Sequence, residues 1–64
     1  MFIEVKTTEG ELILVNKSNI FKVEGFSSEY NNKDKVGKWT VVYLIRGNIV
    51  IDEPYEHFKK RLMA

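Results

Sequence analysis

The chain has 64 residues, no cysteine, one histidine and a formal net charge of +1. Without cysteine there is no disulfide and no thiolate metal site, one histidine cannot form a histidine cluster, and the closely spaced acids of a Ca²⁺ loop are missing. The near-neutral balance is no electrostatic footprint for DNA or RNA, and the apolar runs are too short for a membrane-spanning helix.

A chain of this length forms one domain at most. Domains this small bury a modest share of their surface and are commonly stapled by disulfides, a metal or self-association. With the first two excluded, self-association is the expected staple, and no cofactor is expected.

Taken in order, Met1 to Lys6 reads as a strand and not as a signal peptide, since it lacks a basic start and a long apolar stretch. Cytoplasm is therefore the expected location, including host cytoplasm if the chain is phage-encoded. The first strand is placed at 2–7 and the second at 11–16, with Glu9-Gly10 as a two-residue turn. That turn pairs Val5 with Leu14 and Thr7 with Leu12. Ile3, Val5, Leu12 and Leu14 then share one face.

Asn16 to Asn19 is a polar turn, and a third strand spans 20–26. Ser27 to Lys38 reads as one long loop, in part the tip of an extended hairpin. The β-branched and aromatic residues of 39–46 mark a fourth strand, Gly47-Asn48 a turn, and 49–51 a fifth strand. Val42, Leu44, Ile49 and Ile51 fall on one face. Val41, Tyr43, Ile45 and Val50 fall on the other.

A helix is placed at 54–62. Pro54 suits the first helical position, and Asp52 and Glu53 set negative charge at the positive end of the helix dipole. Tyr55, Phe58 and Leu62 recur at helical spacing and are expected to cap the sheet. The fold class is mainly β: a bent five-stranded antiparallel sheet or small open barrel with one C-terminal α-helix.

Three candidate sites follow. His57 is the lone side chain whose ordinary titration lies near neutrality, but it lies between Glu56 and Phe58 on a short helix, and Ser18, Ser27 and Ser28 fall in turns with no nucleophile-elbow context. It reads as a solvent-facing helix residue, and no catalytic residue is assigned. The second candidate is the loop with its flanks. Tyr30, Lys33, Lys35, Lys38, Trp39 and Arg46 combine cations with aromatic rings, which suits stacking and phosphate neutralisation. The same composition also describes a solvated loop. The third candidate is the apolar surface left over once one core face is assigned: Phe2, Ile13, Val15, Val41, Tyr43, Ile45 and Val50. The fourth and fifth strands are apolar on both faces, whereas a single antiparallel layer keeps one face polar. Either the sheet curls over its second face or another protomer covers it.

The pattern Ile3-Glu4-Val5, Gly10, Val15-Asn16, Asn19-Ile20, and Gly47 followed by Val50, Glu53 and Glu56, resembles the small flagellar FlbD-like family. The likeness implies an opening strand-turn-strand and a closing short helix. The chain departs from the family in its long Ser27 to Lys38 segment and in lacking Pro-Asp-Thr before the central strand. Asn19 to Glu24, followed by a loop, a strand, a tight turn and the helix near Tyr55 to Leu62, is similar in rhythm to the LytTR-type DNA-binding module. Likeness of fold does not establish function.

The expected function is non-catalytic: a small oligomeric binding or regulatory protein. One concrete version is a phage or mobile-element accessory protein sequestering a small anionic ligand, such as a signalling nucleotide, at a protomer interface. The alternatives are a nucleic-acid-binding regulator and a protein–protein adaptor or inhibitor working through a sheet edge.

Overall fold

The computed structural model describes residues 1–29 and 36–64. It contains β1 (Phe2–Lys6), β2 (Leu12–Asn16), a 3-10 turn (Lys17–Asn19), β3 (Ile20–Glu29), β4 (Val36–Leu44), β5 (Gly47–Ile51) and α1 (Tyr55–Leu62). The protein is mainly β, with five antiparallel strands and one C-terminal helix, as expected. The strands form a β1–β2 hairpin and a β3–β4–β5 sheet. A bridge between Thr7 and Ile51 joins the two. Thr8 N–H donates to the Val50 carbonyl at 3.1 Å and Asp52 N–H to the Lys6 carbonyl at 2.9 Å. The layer thus bends through the order β2, β1, β5, β4, β3. β2 and β3 remain unpaired at its ends, so no barrel closes among the described residues.

The first hairpin departs from its predicted register. Val5 pairs with Ile13 and Lys6 with Leu12. The loop is one residue longer, because Gly10 N–H donates to the Thr7 carbonyl at 2.9 Å and Thr7 N–H to the Glu11 carbonyl at 2.8 Å. Gly10 takes φ +90°, a conformation that disfavours a side chain. A one-residue slip turns every side chain over. Ile3, Val5, Ile13 and Val15 therefore face inward, and Leu12 and Leu14 point out.

The turn between β4 and β5 is Ile45-Arg46, not Gly47-Asn48, since Leu44 pairs with Gly47 and Val42 with Ile49. Gly47 closes it at φ +136°, while Ile45 and Arg46 keep negative φ. This shift is even, so the predicted faces of both strands survive it.

β3 and β4 extend beyond the predicted 20–26 and 39–46 pair, through Ser27–Lys38, Ser28–Gly37 and Glu29–Val36. Polar residues on a projecting hairpin carry no apolar alternation, so the sequence pattern was silent there. Ten residues at about 3.3 Å each make β3 about 33 Å long. The molecule's longest dimension is 39 Å. A bulge between Ile20 and Lys22 leaves Phe21 as the extra residue.

The core comprises Ile3, Val5, Val15, Val42, Ile51 and Phe58, with Leu44, Ile49 and Leu62 packed against it. Phe58, completely buried, is the anchor of α1. Pro54 occupies the residue before the helix, one position earlier than predicted. Tyr55 lies over Gly25, where a Cβ would stand 2.3 Å from the Tyr55 Cβ, so the helix start fits only a bare backbone. Thr40, also fully buried, donates its hydroxyl to the Glu53 carbonyl at 2.7 Å. That bond satisfies a polar group that would otherwise destabilise the core.

Candidate binding surface

Side chains alternate across a strand, so the inward Thr40, Val42 and Leu44 of β4 leave Trp39, Val41 and Tyr43 on the outer face. The register sets Phe26 opposite Trp39, Glu24 opposite Val41, and Val50 of β5 on the far side of Val41. Two aromatic pairs result. The Phe26 and Trp39 rings are 5.4 Å apart and tilted by 37°, and those of Phe21 and Tyr43 are 6.3 Å apart and tilted by 52°. Trp39 also lies across Gly37, where a Cβ would stand 2.3 Å from the indole ring.

These residues are incompletely covered. Trp39, Val41, Tyr43 and Val50 are half-buried, and Phe21 and Phe26 are 69% and 45% exposed. The charge on this face is local and balanced. Lys22 Nζ is 3.6 Å from a Glu24 carboxylate oxygen and 4.9 Å from the centre of the Tyr43 ring. Hydrogen bonding to the Glu24 carboxylate, with lesser contributions from desolvation and charge, pushes the Tyr43 hydroxyl above its usual titration range.

The leftover-surface candidates divide on this geometry. Val41, Tyr43 and Val50 do lie together on the outer face. Val15 belongs to the core and Ile13 packs against it, which corrects their placement and follows from the hairpin slip. Ile45 projects from the β4–β5 turn, 72% exposed. Phe2 points outward from β1, near the exposed Leu14 of β2, on a separate patch. Phe26 and Trp39 complete the outer face. Phe26 could have been found by extending the alternation of β3 across the face that holds Lys22 and Glu24.

The basic-aromatic candidates do not assemble into one site. Tyr30, Lys33 and Lys35 lie outside the described residues. Lys38 and Trp39 are consecutive in β4 and so point to opposite faces. Lys38 borders a shallow cleft with Ser27, Tyr55 and Glu56, away from the aromatic face. Arg46 sits in the turn at the far end of β4, about 25 Å of strand from Lys38.

The helix carries a polar cluster that was not anticipated. Glu53 accepts from His57 Nδ1 at 2.7 Å and from Arg61 Nη1 at 2.6 Å. Arg61 Nη2 donates to the Glu4 carbonyl. The four-residue spacing of 53, 57 and 61, running from just before the helix into its last turn, was the available signal. His57 remains well exposed but is tied to Glu53 and not free in solvent. The cluster latches α1 to β1, and no hydroxyl nucleophile is hydrogen-bonded to it among the described residues.

No helix is long and apolar enough to cross a membrane among the described residues. Comparison with protein-family models, curated proteins and solved structures finds no match.

Proposed function

We propose that the protein is a small non-catalytic binding protein that works as a homo-oligomer through the outer face of its three-stranded sheet. The observation that carries this reading is the double apolar character of β4 and β5. Their inner residues fill the core, yet Trp39, Val41, Tyr43 and Val50 crowd a face that no other element covers among the described residues. An antiparallel layer with no second use for that face would keep it polar.

The total surface argues the same way. The chain exposes 5040 Å². A monomeric protein of 7.5 kDa exposes about 4200 Å². The projecting hairpin contributes part of the excess of about 800 Å², and the incompletely covered outer face adds to it.

Trp39 is the one tryptophan in the sequence, so its emission reports on this face. Dilution from high micromolar to nanomolar concentration is expected to red-shift that emission as the indole meets water. Unchanged emission, with a monomer mass throughout, would remove the reading.

A second reading keeps a flat aromatic ligand, such as the base of a nucleotide, on the same platform. The paired Phe26 and Trp39 rings favour it, and the Lys22 ammonium lies further along the same face, over the Tyr43 ring. Quenching of Trp39 on titration with common mono- and cyclic nucleotides tests it. No quenching with any of them would leave only the protein-binding role.

A further inference from the structure

β3 ends the sheet, and among the described residues the backbone hydrogen bond it makes to an element other than β4 is at its first residue, where Ile20 N–H donates to the Lys17 carbonyl. An edge of 10 residues is a template for another strand. Natural edges are often blunted by a lone lysine. Here Lys22 and Glu24 stand two residues apart on one face, with their side chains 54% and 52% exposed. Such a pair is complementary to itself when the strand is turned end to end.

We propose that β3 pairs antiparallel with β3 of a second copy across a two-fold axis at Val23. This rests on the self-association proposed above and adds to it a second contact, at the sheet edge, which leaves the outer faces free for the first. Keeping both aromatic faces on one side of the joined sheet requires the axis to pass through a residue, because opposed residues share a face. An axis at Lys22 sets lysine against lysine, and one at Glu24 sets glutamate against glutamate. An axis at Val23 sets Lys22 of each copy opposite Glu24 of the other. Opposite charges directly across a ladder stabilise it, and like charges destabilise it. The charge pattern therefore selects one register and disfavours its neighbours.

The pairing is isologous, so each substitution acts twice. The joined sheet brings the exposed Phe21 of one copy beside Phe26 of the other. It also makes the two outer faces continuous. The inward Val23 stays in its own core, where it packs in the single chain.

The test is a charge swap on the full chain, read by sedimentation velocity and native mass spectrometry. Lys22→Glu and Glu24→Lys each place like charges across the seam twice, and each is expected to weaken the dimer about tenfold or more. The double variant K22E/E24K restores the complementary pairs and is expected to dimerise like the wild type. An equimolar mixture of the two single variants is expected to give the heterodimer in preference to either homodimer. Both positions are solvent-exposed, so the variants keep the fold.

If the wild type associates and none of the swaps changes its affinity, the seam at β3 is wrong, and association through another part of the outer surface stands. If the wild type is a monomer at high micromolar concentration, both the seam and the homo-oligomer reading fail.

Discussion

The two faces of β4 have nearly the same hydrophobic content and different fates. Inward, Val42 is 1% exposed and Thr40 is fully buried. Outward, Val41 and Tyr43 are half-buried and, among the described residues, covered by nothing but their neighbours in the sheet. The difference comes from the β1–β2 hairpin and α1, which bring Ile3, Val5, Val15 and Phe58 to the inner side. Hydrophobicity thus marks what a residue can bury, and the positions of the hairpin and the helix decide which side is buried within one chain.

Perturbing the helix anchor gives the largest expected effect on that contrast. Phe58→Ala should destabilise the domain by about 3–5 kcal/mol, because it removes a fully buried ring and leaves a cavity. Urea denaturation checks it. A loss below about 1 kcal/mol would mean the helix does not close the core.

The same residue type on the two faces sharpens the comparison. Val42→Ala should cost about 2–3 kcal/mol, through lost transfer energy and a cavity. Val41→Ala should cost well under half of that in the isolated chain. It should weaken self-association instead, by a factor seen in sedimentation. Equal losses of stability at both sites would show that the outer face is as dry as the core.

Thr40 tests the polar tie between sheet and helix start. Thr40→Val keeps the shape but leaves the Glu53 carbonyl without its partner, at an expected cost of about 1–2 kcal/mol. Thermal unfolding of the pair of proteins measures it.

The smallest effect is electrostatic and needs a spectroscopic readout. Tyr43 is expected to ionise above the usual tyrosine value, and Glu24→Gln should return it toward that value by removing the carboxylate. The sign follows first from hydrogen bonding, since the carboxylate accepts from the neutral phenol, and then from desolvation and charge, which oppose formation of the phenolate. A carbon NMR titration of the tyrosine rings distinguishes Tyr43 from Tyr30 and Tyr55. An unshifted Tyr43 would separate the two side chains in solution.

The amino-acid sequence was sufficient for the class of fold, the order of strands and the closing helix. Those depend on local periodicity, on turn-forming glycines and on the Pro54 helix start. It was sufficient for the two faces of β4 and β5 as well, because a turn displaced by an even step preserves parity. It was insufficient for the β1–β2 hairpin, where Leu12, Ile13, Leu14 and Val15 are apolar in succession. A run without alternation does not say which face is inward. The loop closed by Gly10 and the docking of Val15 against Ile3, Val5 and Ile51 made that choice. The outer aromatic face was partly visible in Val41, Tyr43 and Val50. Its union with Phe26 and Phe21 depended on pairing across β3 and β4, residues far apart in the chain. Tertiary structure likewise separated Lys38 from Trp39 and both from Arg46, because neighbours in a strand point in opposite directions and its ends stand far apart.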